Sequence, residues 1–383
     1  TTVCQLFMRS FKDGETIAVG GLITSNNNKS EEGIPILRKL PLIGGLFEYK
    51  SKTVEADERF EHVMAITLNP MKNFKDGVIR CVLKRTGGLL VKGFRDLSEL
   101  HKIYTNSEGK FTIGERLYIK NEDKIINGLK EKGLEFIGLE DPDIWMDENT
   151  GLMHLYFTIP LISNNKKKYQ TKIHLGYAVG KNLDSLEMTN PVLLNDEVGI
   201  AKEVSIAPLN TKGFRYNLVE SSDKIGNINY STIRVAVSKD MGRKWEFGNT
   251  VFHPAKENIT WIAGHASPGP LFRESFINIG EGKRVGIING REINKIVDGK
   301  TMYGIFSVGL FIYDYKRGVI DWVQPEPFIR DSEAKIITFA SQFVERERGT
   351  GILYAHVDDS FVRAYTLEAE KIKTLLPDRF KIY

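Results

Sequence analysis

The sequence predicts an all-β chain built as a propeller, with an extended arm at its N-terminus. Three observations carry this. From about residue 60 the chain falls into runs of mostly five to eight residues, rich in Val, Ile, Tyr and Phe and bounded by Gly, Asn or Asp. Sets of these runs recur about every 50 residues, by spacing rather than by exact repetition. Such runs fit a sandwich or a propeller, and about 300 residues of them favour the propeller.

The elements follow in order. Residues 1–58 read as the arm. "DGETIAVGGLIT" alternates and reaches Gly20-Gly21, and "SNNNKSEEG" is a polar loop. "IPILRKLPLIGGLFEYKSKT" carries Pro35 and Pro41, a spacing that excludes a regular helix. Residues 59–383 read as the propeller domain. "HVMAITLNP" and "GVIRCVLKRTGGLLVKGF" look like paired strands, followed by "LMHLYFTIP", "KIHLGYAVG", "FRYNLVES", "STIRVAVSKD", "RVGIING", "YGIFSVGLFIYD", "GILYAHV" and "SFVRAYTLE". Only "NEDKIINGLKEKG" and the last dozen residues invite helix. "NNKKKYQ" at 164–170 reads as a solvated hairpin tip.

Composition narrows the function classes. The 383 residues suit two or three ordinary domains, or one large β domain plus an arm. A net charge of +4, with no basic stripe interleaved with aromatics, does not argue for nucleic acid. Cys4 and Cys81 lie far apart, so neither a disulfide framework nor a metal-ligand spacing is expected. No apolar run reaches the roughly 18 residues of a membrane span. No signal peptide is visible, which leans to the cytoplasm, although the chain begins at Thr1.

"NP", "DGVIRCVLKR", "GLEDPDIW", "GHASPGPLF", "GKRVGIINGRE", "YGIFSVGLFIYD" and "GILYAHVDD" succeed one another over roughly residues 60–370. This ordered set resembles the five-bladed β-propeller glycosidases. It is most similar to glycoside hydrolase family 130, the β-mannoside phosphorylases and hydrolases, with families 43 and 32 as more distant relatives. "SKDMGRKW" resembles the Asp-box turn of sialidase-type propellers, in which the Asp and Gly build the bend and Trp245 packs in the sheet. The resemblance implies five blades, an oligosaccharide substrate such as a β-mannoside, and no cofactor. Asp143 stands where that family has arginine, and Asn289-Gly290 where it has a phosphate-contacting histidine. Both departures favour hydrolysis over phosphorolysis and leave a non-catalytic glycan-binding propeller as the rival. The arm, through "DGETIAVGGLI" and "IPILRKLPLIGGLFEYKSKT", resembles the C-terminal gate region of secretins. That implies a relic, a fusion, or a segment docking on the propeller or on a second copy in a homo-oligomer. A secretion-system component is the third reading.

Candidate site residues follow from these motifs. Glu140, Asp141 and Asp143 stand close together at the head of a strand, a costly arrangement that a polar pocket would offset. A period of two puts Asp141 and Asp143 on one side. By resemblance Asp141 is the proton donor, its pKa raised by Asp143; the alternative is a turn carboxylate binding backbone N–H groups. Glu203, in "IAKEVSIAP", is the second catalytic candidate: it resembles the blade-three glutamate before a short apolar run that acts as the acid in family 43, and the alternative is a solvated charge beside Lys202. Facing one pocket, the pair would stand ~6.5–9.5 Å apart in an inverting enzyme. Asn69 matches the family's Asn-Pro or is a turn residue. Arg85 reads as a sugar contact or as a surface partner of an acid. His265 lies in an irregular loop with Trp261, which could stack on a sugar; a packed corner is the alternative. Arg291 lines the pocket or pairs with Glu292. Asp358, beside Asp359, reaches a sugar hydroxyl or forms a β-turn. No metal ligand set is expected.

Overall fold

The computed structural model describes residues 52–90, 95–163, 171–195 and 199–381. The arm through Ser51, Cys4 and the 164–170 tip lie outside them. The described chain is nearly all strand, laid down as successive antiparallel meanders. The first runs β1 (His62–Leu68), β2 (Asp76–Thr86), β3 (Arg95–Thr105) and β4 (Phe111–Arg116). After helix α1 (Glu122–Leu129) and the short β5 (Leu134–Phe136) comes β6 (Glu140–Met146), β7 (Met153–Ser163), β8 (Thr171–Gly180) and β9 (Glu187–Met188). The third meander is β10 (Lys202–Ser205), β11 (Arg215–Ile225), β12 (Ile228–Ser238) and β13 (Glu246–Phe252). Then follow β14 (His265–Leu271), β15 (Lys283–Arg291), a small hairpin of β16 (Lys295–Val297) and β17 (Lys300–Met302), β18 (Phe306–Asp314) and β19 (Val319–Val323). The last is β20 (Thr338–Glu347), β21 (Thr350–Val357) and β22 (Phe361–Glu368), closed by helix α2 (Ala369–Leu375). Both helices fall in or beside the segments that read as helix.

The first strands of the meanders are laced together by side chains. The Ile144 N–H donates to Thr67 Oγ1 at 3.0 Å, and Ser205 Oγ donates to the Gly269 carbonyl. Asn289 spans β15 and β20, accepting from the Ala340 N–H at 2.8 Å and donating to its carbonyl at 3.0 Å. Gln342 accepts from the Leu68 N–H at 2.6 Å and returns a bond to its carbonyl. These bonds satisfy strand edges that would otherwise be left unpaired inside the protein. Residues 52–55 tie the last meander to the first. The Thr53 N–H donates to Val362 on β22, and its carbonyl accepts from Phe111 on β4.

Two motifs now have structural explanations. Trp245, 1% exposed, fills the core behind the "SKDMG" turn, where Asp240 accepts from the Gly242 N–H. Trp261 is not a sugar platform: it is 5% exposed, and its indole N–H donates to the Gln324 carbonyl. Its ring lies so close to Gly290 and Gly309 that a Cβ on either would approach within 2.4 or 2.5 Å. Asn289-Gly290 is thus fixed by lacing and by packing.

The first strands share an irregularity. Ala65 is an extra residue between the β1 pairs Met64–Arg80 and Ile66–Ile79. Asp141 and Pro142 together oppose Phe157. Glu203 is extra between the pairs Lys202–Glu220 and Val204–Val219, and Ser341 between Ala340–Ala355 and Gln342–Tyr354. Three of these bulges are left-handed at non-glycine residues: Ala65 at φ 47°, Asp141 at 48° and Glu203 at 46°. A left-handed L-residue costs about 1–2 kcal/mol. Bulges re-aim side chains beside functional sites, and two of these three carry carboxylates.

Candidate active site

A cavity of about 880 Å³ lies between the first strands. Its walls include Asp141–Trp145 of β6, Glu203–Ser205 of β10, Pro268–Leu271 of β14 and Ala340–Glu347 of β20. On each strand the lining starts near the bulge and runs toward the C-terminal end. Asp141 and Glu203 therefore stand at the inner end of the cavity, where the bulges aim them. A volume of a few hundred to 1,000 Å³ suits a small ligand.

Charge is concentrated around this inner end. Arg80 of β2, 8% exposed, donates from Nη1 to Asp141 Oδ1 at 2.9 Å and from Nη2 to Glu140 Oε1 at 2.6 Å. Its Nε bonds Ser98 Oγ at 3.0 Å, and Asp96 lies 3.6 Å away. Lys202 Nζ stands 3.8 Å from Glu203 and 3.6 Å from Glu220. Glu220, 1% exposed, is 3.3 Å from His265 Nε2.

This setting separates the two catalytic candidates. Burial pushes Asp141 up, but the charges of Arg80 and Lys202 outweigh it and hold the carboxyl below its ordinary range. Burial, and then the negative charge of Asp141, push Glu203 well above the ordinary range. Contact between the two carboxyl side chains adds to the rise of Glu203. Two neighbouring carboxyls driven apart in this way are the arrangement that acid–base chemistry uses. The order reverses the expectation from sequence, in which Asp141 held the proton. Their contact is also closer than the inverting separation expected for them.

Asp143 lines the cavity, but burial alone raises it, to about 7, and Asp141 takes no part in that. The expected repulsion is missing because the bulge breaks the period of two between them. Glu140 reaches about 7 through burial, opposed by Arg80 and supported by Asp141.

The other candidates are placed as follows. Arg85 grips Asp96 through Nε and Nη2, both at 2.7 Å, and donates to the Asp359 carbonyl at 2.9 Å. It joins the network behind Asp141 through Asp96. His265 joins it through Glu220, its ring edge-on to Phe306. Burial lowers its pKa and keeps it neutral near pH 7. Arg291 bonds Asn294 and the Glu292 and Gly264 carbonyls, with its guanidinium over Tyr303 and Phe306. Asn69 caps the turn at Pro70–Lys72, accepting from the Met71 N–H at 3.0 Å. Asp358 accepts from the N–H groups of Lys335, Ile336 and Ile337 at 2.8–3.0 Å, a backbone-binding task. Its neighbour Asp359 pairs with His356 at 2.8 Å. Asn69, Asp358, Arg291, Arg85 and His265 are not among the cavity-lining residues. Among the described residues no group of three or more His, Cys, Asp or Glu could hold a metal ion.

Sequence reasoning passed over Arg80, Glu220 and Trp145. Arg80 and Glu220 are charged residues inside apolar runs, each paired with the residue just before a bulge on the neighbouring first strand. Trp145 lines the cavity two residues beyond Asp143, backed by the Arg215 guanidinium at 4.9 Å and by His154 edge-on. It offers the cavity an apolar ring.

Comparison with known proteins matches two parts of the chain. Residues 10–67 match the family model for secretins, the bacterial type II and III secretion system proteins. The virion export protein of Enterobacteria phage I2-2 is 43% identical over 53 residues, which is 14% of this chain and 12% of that protein. The chain thus spans about an eighth of the length of such relatives. Among solved structures, a β-1,2-mannobiose phosphorylase from Listeria innocua aligns with a TM-score of 0.52 at 15% identity, over 88% of this chain and 95% of that one. An endo-arabinase from Bacteroides thetaiotaomicron VPI-5482 aligns with a TM-score of 0.51 at 12% identity, over 83% and 97%. At these identities the likeness is one of fold, and the fold is of the propeller glycosidase type.

Proposed function

We propose that this chain is a glycoside-cleaving enzyme on a five-bladed propeller, one blade per meander, acting on β-mannosides or related oligosaccharides by hydrolysis. The observation that carries the reading is the pair of cavity-lining carboxyls on two bulges, Glu203 pushed well above the ordinary carboxylate range and Asp141 held below it. Glycoside cleavage needs an acid for the leaving oxygen and a base or nucleophile on the other face. In the proposed reaction the glycosidic oxygen replaces Asp141 as acceptor of the Glu203 proton. The sugar must first part the two carboxyls; as the glycosidic bond then breaks, water attacks the anomeric carbon from the Asp141 side and Asp141 takes its proton. Hydrolysis is favoured over phosphorolysis because the cations nearest the pair are already engaged. Arg80 is held by Glu140, Asp141 and Asp96, and Lys202 lies between Glu203 and Glu220. The β-mannoside preference rests on the ordered motifs of the sequence.

The test is incubation of the full chain with β-mannobioses, aryl β-mannosides and arabino-oligosaccharides, with and without phosphate. Release of mannose at a rate independent of phosphate is expected. Mannose 1-phosphate formed only with phosphate would overturn hydrolysis. Sugar binding without turnover would leave a binding propeller, the reading favoured by the Asp141–Glu203 contact that closes the inner end. The match at 10–67 favours a further role for the arm, attachment to a second copy or to a secretion component. Light scattering of a chain lacking residues 1–51 tests it, with loss of oligomer expected.

A further inference from the structure

We infer that Glu220 is a positioning residue that draws Lys202 away from Glu203 and so keeps the proton on Glu203. This deepens the reading of Glu203 as the acid and rests on it. The geometry is a chain of four groups across three strands. Glu203 on β10 stands 3.8 Å from Lys202 Nζ, which is 3.6 Å from Glu220 on β11, which is 3.3 Å from His265 on β14. The ammonium stands between two carboxylates and makes a short bond to neither, while its charge also reaches Asp141 and Glu140. The contact that decides which carboxylate owns it is on the far side. Glu220 is 1% exposed, with His265 Nε2 3.3 Å behind it.

The groups facing each member are few. Glu203 faces Asp141 of β6, Lys202 of its own strand and Glu220. Glu220 faces Lys202, His265 and the Ser231 hydroxyl of β12, with Arg291 of β15 contributing at longer range. Both near neighbours of Glu203 other than Lys202 are therefore acids. Ionising Glu203 would add a negative charge beside Asp141 and Glu220 where Arg80 is already engaged by Asp141 and Lys202 by Glu220. A buried charge without its own partner is strongly disfavoured. Glu220 thereby acts twice in one direction: it repels a charge on Glu203 and engages the cation that stands beside it.

Two substitutions of neighbouring groups should move Glu203 in opposite directions. Glu220→Gln removes the competing charge and releases Lys202 toward Glu203, so Glu203 ionises at lower pH. Lys202→Met removes the shared cation, so Glu203 ionises at higher pH. A general acid is lost as pH rises through its pKa, so the alkaline limb of kcat/KM reports it. That limb should move down by about one pH unit or more in Glu220→Gln and up in Lys202→Met, as expected for charges that act on one another across about 4–6 Å. Glu220→Asp keeps the charge and should return the limb toward that of the wild type. A merely structural Glu220 would lower kcat at every pH and leave the limb where it was. The companion readout needs no turnover: the ¹³C carboxyl resonance that disappears in Glu203→Gln is titrated in each variant. Shifts of opposite sign support the inference. Shifts of the same sign, or none, overturn it. If the wild-type chain cleaves no glycoside, the enzymatic reading falls, while the titration still decides the role of Glu220. If Glu220→Gln does not fold, an unshifted or lowered resonance in Lys202→Met overturns the inference by itself.

Discussion

Replacing Glu203 by Gln tests the division of labour between the two carboxyls. The substitution keeps size and shape, and the amide N–H can donate to Asp141 as the acid does now. The fold should therefore lose no more than about 1 kcal/mol, the worth of one hydrogen bond. The activity should lose far more, because an amide delivers no proton. General acid catalysis contributes about 10²–10⁴-fold, which is about 2.7–5.4 kcal/mol of barrier at 1.36 kcal/mol per tenfold. The loss should depend on the leaving group. An alkoxide or second sugar needs the proton and should show the full deficit. A strongly acidic nitrophenol departs as its anion, and its β-mannoside should be cleaved at close to the wild-type rate. The alkaline limb of the pH profile should vanish along with the deficit. The assay is kcat/KM over a series of aryl β-mannosides with equilibrium unfolding run in parallel. An equal loss across the series at unchanged stability would refute Glu203 as the acid. A loss graded with leaving group in Asp141→Asn and not in Glu203→Gln would restore the opposite assignment.

Arg80→Met should destabilise the protein by about 3–5 kcal/mol in denaturant unfolding, since it strips the shared cation from buried Asp96 and from the largely buried Glu140 and Asp141. A change under about 1 kcal/mol would mean that the network does not need it. Ala65→Gly should stabilise: the left-handed backbone at φ 47° is relieved of about 1–2 kcal/mol, against about 0.5–1 kcal/mol of added unfolded-state freedom. A fall in Tm would refute the strain at this bulge. Asp143→Asn should alter the pH dependence of stability. Burial raises Asp143 in the folded state to about 7 from 3.8, so the folded chain holds a proton that the unfolded chain releases, and stability falls as pH rises between about 4 and 7. Asn has no such loss. The variant should match the wild type near pH 4 and exceed it above pH 7 in urea midpoints, and a constant difference across pH would refute the account.

The strands were legible because their signals are local. Alternation, β-branched and aromatic residues and Gly or Asp boundaries are properties of a few neighbouring residues, and they mark β7, β8, β15 and β21 where the chain forms them. Helix α1 declared itself in "NEDKIINGL" for the same reason. The site was legible only in part, because its signals are not local. Asn69 and Asp358 are the kinds of residue that fill sites, yet each is occupied by backbone N–H groups, and which one binds backbone depends on loop geometry. Trp261 and Trp145 look alike in sequence. Two glycines, on β15 and β18, decide that the first is packed, while the cavity takes in the second. The deeper cause is parity. Counting by twos from Asp141 puts Asp143 beside it, but one added residue reverses every side chain that follows on the strand. The bulges at Ala65, Asp141, Glu203 and Ser341 add that residue at corresponding places in four first strands. Parity fails there because the site was made by breaking it. The left-handed backbone that spoils the alternation is what turns Asp141 and Glu203 out of the sheet and into contact. Arg80 and Glu220 then follow from pairing. Each is opposed to the residue just before a bulge, so each sits behind an inward-turned side chain. An arginine or glutamate in the middle of an apolar strand is otherwise an unexplained burial cost, and here it is the counter-charge or competitor that a bulged carboxylate requires.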